Sequence, residues 1–276
     1  MDKIKKASLK DIIFMTIIVL LAVVFLFPFY WILTGAFKSQ NATIQIPPQW
    51  FPVEATFQNF KDLAKSPLLK WTFNSFFISF CTMILVCLTS TMGGYALAKK
   101  KFPGRNVIFW CFIIAMALPK QVVMIPLFTI LAKLNWINSY QALILPAVAW
   151  PFGVFLMKQF SQGIPGELLE AAKIDGCSEL RIFWSMVVPL VKPGIGALAI
   201  FTFISSWNDY FMQLILIRSK TMVTLPLGVA LLQSEFTTNY GSIMAGATLA
   251  SLPMIIIFIA FQKYFTQGIT MGAVKG

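Results

Sequence analysis

Six stretches of this chain, 12–37, 71–98, 107–131, 139–158, 194–217 and 242–262, stay apolar long enough to leave few choices of fold. A helix crosses the hydrocarbon core of a bilayer with ~20 apolar residues. Inside that core a backbone amide finds no water, so a spanning segment satisfies its own hydrogen bonds as a helix or joins a closed barrel. Runs of this length predict helices. The charged fraction is 12%, about half that of a soluble domain. The expected class is therefore all-α integral membrane, with six transmembrane helices.

Six crossings put both termini on one side. Lys and Arg number four in the N-terminus, four in 99–105, four in 158–192 and two in the C-terminus. The opposite loops hold seven, and Lys120 lies within a span. Positive excess marks the cytoplasmic side, so both termini and the 158–192 loop are expected in the cytoplasm. The organisation read from this is a basic N-terminus (1–11), a six-helix domain (12–262) containing the 158–192 loop, and a C-terminal tail (263–276). The run at 12–37 is too long for a signal peptide's apolar core and lacks a cleavage site, so it reads as the first span. The net charge of +12 sits at the ends of apolar runs and forms no basic stripe, which argues against nucleic acid as a partner.

The chain has no histidine and four scattered cysteines, Cys81, Cys87, Cys111 and Cys177. That composition excludes a Ser-His-Asp triad and a histidine metal site; no catalytic residue, metal ligand or bound cofactor is expected. No glycine precedes Lys-Ser or Lys-Thr, so there is no P-loop.

The 158–192 loop concentrates four of the ten acidic residues, Glu167, Glu170, Asp175 and Glu179. Pro165 suits the opening turn of a helix, and Glu167 and Glu170 suit its positive end. Asp175-Gly176 reads as a stop. Ser178 can cap a second helix carrying Ile182, Phe183 and Met186 at helical spacing. Two short helices joined at Gly176 would lie along the cytoplasmic surface. Small Ala171 and Ala172 would admit a partner's surface and Glu170 would meet a basic group. The acidic residues argue against a hairpin that only rests on the negative inner leaflet.

Elsewhere, Pro119 and Pro126 interrupt the third span, where Lys120 and Gln121 are costly unless they face a wet interior. Asn208 and Asp209 lie inside the fifth. Asp209 either holds helices together or lines a pathway. Ser90, Thr91, Gly93 and Gly94 allow close helix packing. The Pro- and aromatic-rich loop 38–70 reads equally as a cap or a docking surface. The glycines of the tail make it a poor independent helix, either frayed or ordered by a partner.

Glu170-Ala171-Ala172, three residues, Gly176, nine residues and Met186-Val187-Val188-Pro189 together resemble the Glu-Ala-Ala loop of ABC importer permeases. Leu118-Pro119, Ile125-Pro126-Leu127-Phe128, Trp207-Asn208-Asp209, Thr224-Leu225-Pro226-Leu227 and the ending Gly272-Ala273-Val274-Lys275-Gly276 extend the resemblance over most of the chain. They resemble the carbohydrate permeases, in particular the second permease subunit of the maltose family. Met186 and Val188 replace the usual Ile and Leu of the loop.

The resemblance implies a type I ABC importer permease fold in a bacterial or archaeal cell membrane. It implies a homologous permease partner, two ATPase subunits that bind ATP and Mg, an extracytoplasmic solute-binding protein, and a sugar substrate amid membrane lipid. Glu170, Ala171, Ala172, Asp175 and Gly176 would form the coupling helix and its turn, with Met271, Gly272 and Lys275 also reaching the ATPases. Gln233, Glu235, Asn239 and Tyr240 would approach the binding protein. Lys120, Gln121, Asn208 and Asp209 would line the translocation pathway, although in the maltose relative the sugar is held mainly by the other permease. Glycerol phosphate, polyol or amino acid remain alternative solutes. An ion-coupled transporter is disfavoured by the absence of histidine and the single intramembrane acid Asp209.

Overall fold

A computed structural model describes residues 8–233 and 239–273, with side chains through 262. In chain order its helices are α1 Leu9–Ala36, α2 Gln40–Thr43, α3 Gln58–Ala64, α4 Leu68–Lys99, α5 Arg105–Ala117, α6 Lys120–Lys133, α7 Tyr140–Val148 and α8 Pro151–Gln162. They continue with α9 Gly166–Ile174, α10 Glu179–Ile182, a π-helical turn Phe183–Val187, α11 Val188–Leu190, α12 Lys192–Trp207, α13 Phe211–Leu216, α14 Leu225–Ala230 and α15 Tyr240–Ala273. No β-strand occurs among the described residues.

Leu9–Ala36, Leu68–Lys99 and Tyr240–Gln262 are long and apolar enough to span as single lengths of helix, and Tyr140–Gln162 does so as α7 and α8 together, interrupted at Ala149-Trp150. The other two are broken, and both breaks correct the reading of continuous spans. At 107–131 the chain turns by 106° between α5 and α6. Proline disfavours the helical conformation in the residue before it, and Leu118 accordingly takes extended angles, φ −77° and ψ 125°. The span 194–217 ends as helix at Trp207 and resumes only at Phe211. At its N-terminal end α12 follows the Glu179–Leu190 arm with a 78° bend. That arm carries Glu179 and Arg181 and belongs to the 158–192 loop. The tail is also corrected in part, since the helical backbone of α15 continues through 263–273.

The described residues divide into two compact units, within Met1–Leu68 plus Val229–Leu252 and within Leu69–Gly228 plus Pro253–Gly276. In the first unit, α1 is exposed along almost its whole apolar length and only its C-terminal end is packed. The loop after it folds back on that end. Tyr30 Oη donates to Trp50 O at 2.6 Å, and Trp31, Phe27 and Trp50 pack ring against ring. Buried Asn59 donates to Ala36 O at 2.9 Å and Lys38 O at 2.7 Å, closing the loop onto the helix end. Within this unit the loop is a cap.

In the second unit the core joins Val86 and Tyr95 of α4, Met157 of α8 and Leu198 of α12 to Ile164, Leu169, Ala172, Ile182, Phe183, Val187 and Val191 of the 158–192 loop. Close packing of α4 against α8 depends on Gly94. A Cβ there would sit 2.6 Å from Lys158 N and Met157 C. Gly93 is less demanding, with Val154 methyls at an ordinary 3.8 Å. At the other end of α4, Asn74 is fully buried. It donates to Thr221 O at 2.9 Å and Val223 O at 2.8 Å and accepts Tyr140 Oη at 2.8 Å. Ser75 Oγ accepts Leu225 N at 2.8 Å. These contacts pin the segment before α14 to α4.

Candidate functional site: a helical hairpin and a cavity

The 158–192 loop forms a helical hairpin. Pro165 stands one residue ahead of α9, whose first turn carries Glu167. At its end Gly176 adopts φ +75°, the left-handed conformation that only glycine enters without strain. Asp175 N, Gly176 N and Cys177 N donate to Ala171 O, Lys173 O and Ala172 O at 2.9, 3.0 and 3.0 Å, satisfying the terminal carbonyls. Ser178 then caps α10 by accepting Arg181 N at 3.3 Å.

Leu169 and Ala172 face inward and are buried in the unit's core. This corrects the reading of Ala172 as surface offered to a partner: it is the small residue that lets α9 lie close on its own scaffold. The outward face presents Glu167, Glu170, Ala171 and Ile174, at helical spacing of three, one and three residues. Ile174 is 86% exposed and Leu168 is 43% exposed. A short helix with a buried inner edge and an apolar, acidic outer edge can serve as a docking element.

The hairpin is fastened to the end of α4. Lys99 Nζ donates to Ile164 O at 2.5 Å and Gln162 O at 3.1 Å. Glu179 bridges Lys100 and Lys173, the latter at 3.2 Å. The hydrogen bond from Lys100, opposed by desolvation and reinforced by Lys173, holds the Glu179 carboxyl below the usual carboxylate range. The π-helical turn lies in the return arm, and Phe183 within it packs on Tyr95 at 6.0 Å between centroids. A push on α9 therefore reaches α4, α8 and α12 through both packing and hydrogen bonds.

A second feature is a cavity of about 480 Å³ within the same unit. The broken spans deliver their ends to it. Leu118 and Lys120 come from the α5–α6 break, and Asp209, Met212 and Gln213 from the α12–α13 break. Thr82, Trp150, Thr202, Ser205 and Ser206 complete its polar and aromatic lining. The two residues at the second break satisfy its loose backbone groups. Asn208 Nδ2 donates to Ile204 O at 3.0 Å, and Asp209 Oδ1 accepts Met212 N at 3.2 Å. Lys120 and Asp209 thus both border the cavity; Gln121 and Asn208 do not and are exposed.

Gln233 and Tyr240 are exposed, and Asn239 Oδ1 accepts Ser242 N at 3.0 Å at the start of α15. Glu235 and Lys275 lie outside the described residues. Met271 and Gly272 are described only as helical backbone. The four cysteines are free thiols, and no group of three or more His, Cys, Asp or Glu is placed to hold a metal among the described residues. Sequence reasoning missed Thr82 and Gln213 in the cavity and the Asn74 clamp. A polar side chain deep in an apolar run was the available signal for each.

The family model described as binding-protein-dependent transport system inner membrane component matches residues 90–271. The arabinooligosaccharides transport system permease protein AraQ of Bacillus subtilis is 40% identical over 261 residues, covering 93% of each chain. The diacetylchitobiose uptake system permease protein DasC of Streptomyces coelicolor is 32% identical, over 94% of this chain and 95% of the relative. An sn-glycerol-3-phosphate transport system permease protein, UgpE of Salmonella typhi, is also 32% identical, over 92% and 94%. Among solved structures, a chain of a bacterial ABC transporter involved in alginate import shares the fold. Its TM-score is 0.80 at 24% identity, covering 94% of this chain and 99% of that one.

Proposed function

Because this chain belongs to the family of binding-protein-dependent transport system inner membrane components, we propose that it is the second of two permease subunits in an ATP-driven importer of a sugar or oligosaccharide. It pairs with a homologous permease, with two ATPase subunits that bind ATP and Mg, and with an extracytoplasmic binding protein that delivers the solute. Both termini and the hairpin face the cytoplasm, as the distribution of Lys and Arg supports. The chain supplies the gate and binds no cofactor of its own.

The observation that carries this reading is the α9 hairpin, exposed on its Glu167–Glu170–Ile174 edge and locked on its inner edge into the core that holds α4, α8 and α12. The outer edge docks in a cleft of an ATPase, with Gly176 as the turn and the Met271, Gly272 and Lys275 end of the chain reaching the same partner. Closure of the ATPase pair on ATP draws the two permeases' hairpins together. The spans follow as bodies, opening the pathway outward; hydrolysis resets them. Such a switch needs two packed states and a ligand that favours one. Lys120 and Asp209 line the pathway, and Gln233, Glu235, Asn239 and Tyr240 meet the binding protein.

The 40% likeness to an arabinooligosaccharide permease supports a pentose oligosaccharide as the first candidate. Glycerol phosphate is the second, from the likeness to UgpE. Uptake of labelled arabinotriose, diacetylchitobiose and glycerol 3-phosphate by cells with and without this chain separates them. Loss of arabinotriose uptake alone supports the first reading. Loss of glycerol 3-phosphate uptake alone replaces it with the second, and undiminished uptake of all three removes both.

A further inference from the structure

Three consecutive lysines lead from α4 into the turn before α5, and two of them are engaged. Lys99 donates to the carbonyls of Gln162 and Ile164, and Lys100 bridges Glu179. Lys101 has no partner among the described residues. It borders a separate cavity of about 330 Å³ with Phe102, Gly104, Arg105, Asn106 and Val107. Arg105 donates once, to Lys100 O at 3.2 Å, which leaves most of its five donors free. Lys158 of α8 adds a third charge: its Nζ lies 3.4 Å from the centre of the Phe109 ring, one helical turn beyond Arg105. Among the described residues no carboxylate pairs with any of these three cations.

Like charges gathered in one place repel, and an anion that accepts hydrogen bonds relieves them. Lys and Arg only donate, and a guanidinium matches phosphate oxygens two at a time. Asn106, exposed at the same rim, both donates and accepts and so suits hydroxyls beside a phosphate. The surface next to the rim decides the source of that phosphate. From Arg105 onward α5 is an apolar helix, and Val107, Trp110 and Ile114 are exposed along it at spacings of three and four residues. A soluble anion makes no use of that stripe. A phospholipid does, with its phosphate at the charged rim and its acyl chains along the helix. Basic pockets at the ends of membrane helices are places where anionic headgroups bind.

We infer that Lys101, Arg105 and Lys158 form a site for the headgroup of an anionic phospholipid, seated against the turn between α4 and α5. The lipid sits beside the two lysines that fasten the hairpin. The site requires only that α5 enters the bilayer, so it stands whichever solute the importer carries.

The test uses the importer assembled with its partners, in phosphatidylcholine vesicles holding a trace of phosphatidylglycerol with a photoreactive group beside its headgroup. Illumination should attach the probe within 101–110. Unlabelled phosphatidylglycerol should compete for the site, and inorganic phosphate should not. Lys101→Gln combined with Arg105→Gln should lower the labelling roughly 25-fold, since each basic residue near an anionic lipid surface counts for about fivefold. Lys101→Arg combined with Arg105→Lys keeps both charges and should label nearly as well as the unaltered importer. Lys192→Gln, which removes an exposed cation at the start of α12, should leave the labelling unchanged. Equal loss in Lys192→Gln overturns the site, because diffuse attraction then explains the labelling. Equal loss in the charge-keeping pair overturns it too, because that marks altered structure. Displacement by inorganic phosphate would give the cavity to a soluble anion, and no labelling in the assembled importer would give it to a partner subunit; either result overturns the lipid assignment.

Discussion

Replacing Gly176 by alanine isolates what the hairpin turn contributes. A Cβ at this position would meet nothing within 4 Å, so no packing is disturbed. The residue's φ of +75° leaves backbone strain as the whole effect. An L-residue in the left-handed region is strained by about 1–2 kcal/mol, and asparagine by less. That shift multiplies local opening roughly 5–30-fold. The amides of Gly176 and Cys177, bonded at 3.0 Å to Lys173 O and Ala172 O, report the opening directly. Hydrogen exchange at these two amides should quicken by about that factor in Gly176→Ala, with Gly176→Asn in between. Uptake should fall in the same order while the protein stays in the membrane. Equal exchange in all three proteins would show that the left-handed turn does not hold the hairpin, and the reasoning from φ would fail.

Gly94→Ala puts a methyl 2.6 Å from the backbone of α8 and should destabilise the purified subunit by about 1–3 kcal/mol, read as a lower thermal midpoint; no change would mean that α4 and α8 do not touch there. Asn74→Leu strands the carbonyls of Thr221 and Val223 and the Tyr140 hydroxyl, costing about 1–3 kcal/mol, and limited proteolysis should then cut the segment before α14. Glu179 titrates below the usual range because Lys100 hydrogen-bonds its charged form, so its fastening of the hairpin is present above the unfolded carboxyl's pKa and is lost as pH falls through the lowered folded value. The bridge is half exposed, so Glu179→Gln should cost under about 1 kcal/mol and flatten the acid side of the stability–pH curve; a curve as steep as the unaltered protein's would assign the acid loss to another group.

The number of spans and the hairpin were legible because each rests on a signal that survives without neighbours. Twenty apolar residues are a length requirement of the bilayer, and Asp175-Gly176 followed by Ser178 is a local stop and start. Direction was not legible. Hydropathy registers Leu118-Pro119 and Asn208-Asp209 as interruptions, yet the 106° turn and the break before α13 follow from how the two helical pieces pack against the rest of the unit. Ala172 was read on the wrong face because small size suits a docking surface and a buried one equally. The i, i+3 pair Leu169 and Ala172 was the signal for the inner edge. The role of Asn74 was not legible, because the carbonyls it binds lie 147 and 149 residues away along the chain.

The central claim is that α9 faces the cytoplasm and bears on an ATPase subunit. A cysteine at Ala171, which is exposed where Ala172 is buried, tests it once the four native thiols are replaced. In inverted membrane vesicles of the assembled importer, Ala171→Cys should react with an impermeant maleimide and crosslink to the ATPase, with ATP altering the crosslink yield. Reaction only in right-side-out cells, or crosslinks confined to the binding protein, would contradict it.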